Sequence, residues 1–240
     1  MDQTKIRRYT RRNLRRSGFL VLASMVSVTM WLILVNVLFF FIVMIFYVFN
    51  ENFIDYIALN PSLILEGKYL WTFVTSMFMH GGFFHLLVNM FVLSSLGSFC
   101  EKIIGRKRFF WFYIISGLIA GLMFVVLAGF FGGTPLSAKI FGSATIPAVG
   151  ASGAIFAIAG LFVILTPKLK FTIIFFPFFS LPAYIMIPVV LFVTWIVSSS
   201  AGLPVGNTAH FGGFLAGVVY GLYLRNKYPK KVKRLSQYVR

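Results

Sequence analysis

The sequence predicts an all-α membrane protein of six transmembrane helices with both termini cytoplasmic. Three observations carry that prediction. First, 59% of the 240 residues are hydrophobic and 11% are charged, against roughly 25% charged in soluble domains. Second, uncharged runs of membrane-spanning length alternate with clusters of basic residues. Third, with six spans and a cytoplasmic N-terminus, twenty Lys and Arg fall on the cytoplasmic side, and only Lys68 and Lys139 fall on the other. That is the positive-inside asymmetry. The net charge of +17 therefore sets membrane orientation, and its scatter in short clusters argues against a nucleic-acid groove. Cys100 is the single cysteine, which excludes an internal disulfide and any Cys-based zinc finger.

Residues 1–17 are a basic cytoplasmic tail. The uncharged run 18–49 would be about 48 Å long as a helix, against a hydrocarbon core of about 30 Å. It is far too long for a signal-peptide core and reads as the first span. Residues 50–82 carry Glu51, Asp55, Glu66 and Lys68 among many apolar and aromatic side chains, so this connection is expected partly in the membrane interface. The second span is 83–100, closed by Glu101 and Lys102. The third is 109–131, after Arg106, Lys107 and Arg108. Residues 132–149 form a Gly-, Ser- and Pro-rich loop before the fourth span, 151–165. The fifth span, 171–197, holds Pro177, Pro182 and Pro188, which imply kinks or a broken helix. The sixth span, 208–224, closes a domain over 18–225, and 226–240 is a second basic cytoplasmic tail. Spans two and four look short. A helix of 16 residues covers only about 24 Å, so their outer ends should lie below the membrane surface in a polar recess.

This topology brings four polar residues to one depth on the outer side: Ser152 at the mouth of span four, His210 at that of span six, and His80 and His85 at that of span two. A neutral histidine can take the proton of a serine hydroxyl as it attacks a carbonyl. An acid usually orients that histidine, but no Asp or Glu follows Glu101. A hydrolase built here would use a Ser152–His210 dyad, with Phe156, one turn below Ser152, stacked beneath the imidazole. Gly150 and Gly153 flank the serine. Gly153, Ala157 and Gly160 face Gly213, Gly217 and Gly221 as small-residue stripes that allow close helix packing. Packing alone explains such glycines, but here the packing has a chemical consequence, since it carries His210 to Ser152. His85 and Asn89 share a helical face. With the Ser152 amide they could donate to an oxyanion, or they could simply join helices. His80 reads as a structural hydrogen-bonder. A three-histidine zinc site is an alternative that leaves Ser152 unexplained.

At these positions the chain resembles the rhomboid family of intramembrane serine proteases. The resemblance rests on His80-x4-His85-x3-Asn89, on Gly150-Ala151-Ser152-Gly153-Ala154, and on Ala209-His210-x2-Gly213-x3-Gly217, and it covers roughly residues 65–225. It implies a six-helix rhomboid-like bundle, Ser152 as nucleophile, His210 as base, and an oxyanion hole from Asn89, His85 and the Ser152 amide. It also implies a structural role for Glu101, just past span two. No metal or cofactor is needed, and the partners implied are transmembrane protein substrates and the lipid bilayer. Family members often have Trp-Arg in the first outer loop, where this chain has Trp71-Thr72. That departure bears on loop bracing rather than on the catalytic residues. The Ser152 motif lacks the final glycine of an α/β-hydrolase elbow.

Two other classes compete. A catalytically inactive rhomboid-like protein would bind membrane clients without cutting them, and the presence of both Ser152 and His210 argues against it. A small transporter usually buries charges and shows internal repeats, and neither is seen here. Short tails without a transit peptide point to a multi-pass protein of a prokaryotic plasma membrane.

Overall fold

The computed structural model describes residues 26–173, 176–203 and 205–238. The tail 1–17 and the stretch 18–25, expected to begin the first span, lie outside them. Helix α1, Val28–Phe49, starts where the Ser27 hydroxyl accepts the Met30 amide, a standard N-cap. Helix α2, Phe83–Ile104, contains a π-helical turn at Leu93–Gly97. Gly105, at φ 86°, breaks the chain into α3, Arg106–Phe131. Helix α4 is Ser152–Leu165. Strands β1, Lys170–Ile173, and β2, Phe176–Pro182, form an antiparallel hairpin that pairs Lys170 with Pro182 and Phe171 with Leu181. Helix α5, Ala183–Ala201, ends on Gly202 in the left-handed region, the usual glycine stop. Helices α6, Asn207–Lys227, and α7, Pro229–Tyr238, complete the chain.

Among the described residues, α1, α2, α3 and α5 are long and apolar enough to cross a membrane. Their outward faces carry large exposed hydrophobics such as Leu38, Phe41, Leu122 and Phe192, as contact with lipid requires. Helix α4 is apolar but only 14 residues long. It is the hub of the core: Ala157, Ile158, Leu161 and Phe162 are fully buried. Its most extensive partner is α6. A Cβ on Gly213 would overlap the Gly153 carbonyl, and one on Gly217 would overlap the Ala157 carbonyl. Glycine at these positions is what lets the two backbones touch.

Several expectations need correction. Residues 171–182 do not extend the fifth span. They form the hairpin, because Pro177 and Pro182 would each remove a helical hydrogen bond, while both strands of a two-stranded sheet are edges that tolerate proline. The second helix is not short. It runs on through Glu101 to Ile104, so Glu101 lies inside α2 rather than beyond it. Burial there is possible because the Glu101 carboxylate accepts the amides of Val28 and Thr29 at 2.9 Å each and the Thr29 hydroxyl at 2.8 Å. A carboxylate at the N-terminus of α1 is stabilised by the helix dipole, and Arg106 lies 3.7 Å away. The loop 132–149 contains a short helix, Pro135–Phe141, opened by a reciprocal Thr134–Ser137 capping box. Within the C-terminal tail, 229–238 is helical, with Val232 and Leu235 packed on the core.

Candidate active site

Residues 144–150 lead into α4 and are laced to the loop between α1 and α2. Leu59 and Ala148 exchange both backbone hydrogen bonds, at 3.1 and 2.9 Å, and the Gly150 amide donates to the Ser76 carbonyl at 2.9 Å. That loop is itself braced by Trp71, whose ring N–H donates to the Tyr56 carbonyl, and by the Thr75 hydroxyl on the Ile57 carbonyl. Thr72 is buried, and its hydroxyl has no hydrogen-bond partner among the described residues. Gly150 adopts φ 125°, and a Cβ there would lie 2.9 Å from the His85 ring. Both facts require glycine. The chain then turns into α4, which presents Ser152 in its first turn.

The Ser152 hydroxyl oxygen lies 2.8 Å from Nε2 of His210. The His210 ring stacks on Phe156, with centroids 4.6 Å apart and planes 28° from parallel. Among the described residues, Nδ1 of His210 has no hydrogen-bond partner, and no carboxylate orients the ring. Aromatic stacking and the close α4–α6 packing hold it instead. For Nε2 to accept the serine proton, the ring hydrogen must reside on Nδ1. Facing this pair across Gly150 are the side chains of His85 and Asn89, both on α2. Asn89 is buried, and its amide nitrogen has no partner among the described residues. The Ser152 amide belongs to the first turn of α4, where amides have no acceptor within the helix.

His80 is buried in the loop before α2. Its Nδ1 lies 3.3 Å from the Phe78 carbonyl, and its ring meets that of His85 edge-on at 5.1 Å. Burial pushes its pKa down to about 4, with a smaller contribution from His85, so it is neutral at pH 7. The three histidines thus divide, His210 to the serine and His80 and His85 to each other. Glu101 sits at the other end of α2, bound to α1.

Ser152, His210, His85 and Asn89 all line one cavity of about 1020 Å³, whose wall is otherwise mainly apolar. Sequence reasoning missed one wall of this cavity: Met186, Ile187 and Val190 of α5. Apolar residues on a lipid-facing helix give no signal that sets them apart. It also missed the Ser76 carbonyl that fixes Gly150, a contact made by backbone alone.

The Rhomboid domain model matches residues 67–227, about two-thirds of the chain. The chain belongs to the rhomboid family. Similar proteins include RHOMBOID-like protein 5 of Arabidopsis thaliana, 33% identical over 71% of this chain and 50% of that protein. Rhomboid protein 1, mitochondrial, of Saccharomyces cerevisiae is 31% identical over 75% of this chain and 50% of its own length. Presenilin-associated rhomboid-like protein, mitochondrial, of Homo sapiens is 30% identical over 72% of this chain and 42% of its own. The chain therefore spans about half the length of the curated relatives it matches. As a rhomboid with several membrane-length helices, it is a multi-pass membrane protein. Relatives named as mitochondrial or drawn from a plant do not fit the expectation of a prokaryotic plasma membrane.

Proposed function

We propose that this rhomboid is an intramembrane serine endopeptidase that cleaves transmembrane segments of other membrane proteins by a Ser152–His210 dyad. The observation that carries the reading is the 2.8 Å contact between the Ser152 hydroxyl and Nε2 of His210, inside a cavity that Asn89 and His85 also line. Membership of a family whose members are generally intramembrane serine proteases supports it. The proposed topology has six spans, α1 to α6, with both termini and the basic segments on the cytoplasmic side and the dyad nearer the other face.

A substrate helix enters between α2 and α5, both of which line the cavity, and unwinds locally to expose a carbonyl. Ser152 attacks it while its proton passes to Nε2 of His210. The negative charge on the carbonyl oxygen is held by the Asn89 side-chain amide, a His85 ring N–H and the Ser152 backbone N–H. Nε2 then protonates the leaving amine, and the C–N bond breaks. Water attacks the resulting ester, gives its proton to Nε2, and the serine hydroxyl is restored. His80 supports the His85 ring, Phe156 supports His210, and Gly150, Gly153, Gly213 and Gly217 permit the approach of the elements. No step needs a metal or cofactor.

The experiment is cleavage of a transmembrane substrate by the purified chain in liposomes. Ser152→Ala and His210→Ala should each abolish cleavage while leaving the protein folded. Wild-type rates in either variant would refute the dyad. Substrate binding without cleavage by the unmodified chain would favour the inactive client-binding reading.

A further inference from the structure

At the cytoplasmic end of the bundle, three cations converge on one aromatic ring. The guanidinium carbon of Arg108 lies 5.6 Å from the centroid of Tyr228, the ammonium of Lys231 lies at 5.7 Å, and that of Lys227 at 5.9 Å. They come from three elements: the first turn of α3, the last residue of α6 and the first turn of α7. Two of them are also held by tyrosine hydroxyls. Arg108 reaches the Tyr228 hydroxyl at 3.5 Å, and Lys227 donates to the Tyr223 hydroxyl at 2.6 Å. Tyr228 is itself fixed as the joint between the helices, donating its amide to the Leu224 carbonyl and accepting that of Val232.

Three like charges gathered around one ring repel one another, and salt screens such repulsion only over a Debye length of about 8 Å. Attraction to the ring offsets only part of that repulsion. A carboxylate would normally supply the balance, yet the chain has no Asp or Glu after Glu101, and Glu101 is committed to α1. Among the described residues, the only ion pairs are Lys68–Glu66 and Arg106–Glu101. Among the described residues, no carboxylate supplies the counter-charge.

Helix α7 extends the basic surface. It turns Val232 and Leu235 onto the core and leaves Lys230, Lys231, Lys233 and Arg234 exposed. With its apolar side taken up by the core, α7 presents this basic face outward at the same end of the bundle as Arg108 and Lys227. Arg108 lies in the first turn of α3 and Lys227 is the last residue of α6, ends that the proposed six-span topology puts in the headgroup region. We infer that Arg108, Lys227 and Lys231, arranged around Tyr228, form a site for the phosphate of an anionic phospholipid of the cytoplasmic leaflet. The site rests on the proposed topology, with the basic segments on the cytoplasmic side, and is independent of the protease reading.

The test is native mass spectrometry of the full chain, purified in neutral detergent and titrated with phosphatidylglycerol or phosphatidylcholine. The unmodified chain should retain phosphatidylglycerol preferentially. The triple variant Arg108→Gln, Lys227→Gln, Lys231→Gln should weaken that binding about a hundredfold, roughly fivefold per basic residue removed. Lys231→Gln alone, on the exposed face of α7, should weaken it about fivefold and serves if the triple variant does not fold. A charge-matched control away from α7, Lys102→Gln, Lys168→Gln, Lys170→Gln, should bind within about twofold of the original. Equal retention of the two lipids, or equal loss in the control, overturns the site. Displacement of the lipid by millimolar inorganic phosphate would show a small-anion site and overturn it as well.

Discussion

The α4–α6 pair and the α2–α5 pair are built on opposite principles. Between α4 and α6, glycines bring backbone against backbone, and Gly213 and Gly217 leave no room for a methyl group. Both α2 and α5 line a cavity of about 1020 Å³. The first pair fixes the distance from Ser152 to His210. The second leaves space for something to enter. A site that must hold two groups at hydrogen-bond distance and also admit a polypeptide needs both, and this chain assigns them to different helices. Rigid packing does not tolerate added volume, so the two pairs should respond differently to substitution.

The largest effect belongs to the dyad. Ser152→Ala should lower cleavage of a transmembrane substrate by about 10⁴-fold or more, read as kcat in liposomes. Next is the wall of α2 that faces the serine. Asn89→Ala should cost about 10²–10³-fold in kcat, the usual loss of an oxyanion donor, with KM nearly unchanged. The tight pair comes third. Gly217→Ala should destabilise the protein by about 1–3 kcal/mol through overpacking, seen as a lower Tm in detergent. The α2–α5 side should be tolerant: Val190→Ala should change stability by no more than about 0.5 kcal/mol while altering which substrate segments are cut. Similar Tm losses at Gly217 and Val190 would erase the contrast between the pairs.

His80 gives a pH-dependent prediction. Its folded pKa, about 4, lies below the ordinary value of about 6.5, so the unfolded chain binds the extra proton between those values. Its contribution to stability is therefore complete above pH 6.5 and is lost as the pH falls towards 4. His80→Asn should flatten the fall in Tm across that window relative to the unmodified chain. An unchanged slope would show that His80 does not titrate this way.

Much of the site could be read before any coordinates. Ser152 and His210 stood out because polar residues are scarce in these spans, and the charge asymmetry put them at one depth. The glycine stripes on α4 and α6 already implied close packing. The fifth span was misread because hydropathy does not distinguish an apolar hairpin from an apolar helix, although Pro177 and Pro182 marked the break. The helix at Pro135–Phe141 carried a readable start signal in Thr134, Pro135 and Ser137, masked by the surrounding glycines. Burial of Glu101 could not be read, since its partners on α1 are more than seventy residues away in the chain. The individual residues of the α5 wall could not be singled out, because they differ from lipid-facing ones only in what they face.

The central claim is that His210 activates Ser152. The most direct measurement is covalent labelling of the full chain by a fluorophosphonate, with the modified peptide located by mass spectrometry. The account predicts a label on Ser152 in the unmodified chain and none in His210→Ala. Equal labelling of the two, or no label on Ser152 in the folded, unmodified chain, would contradict it.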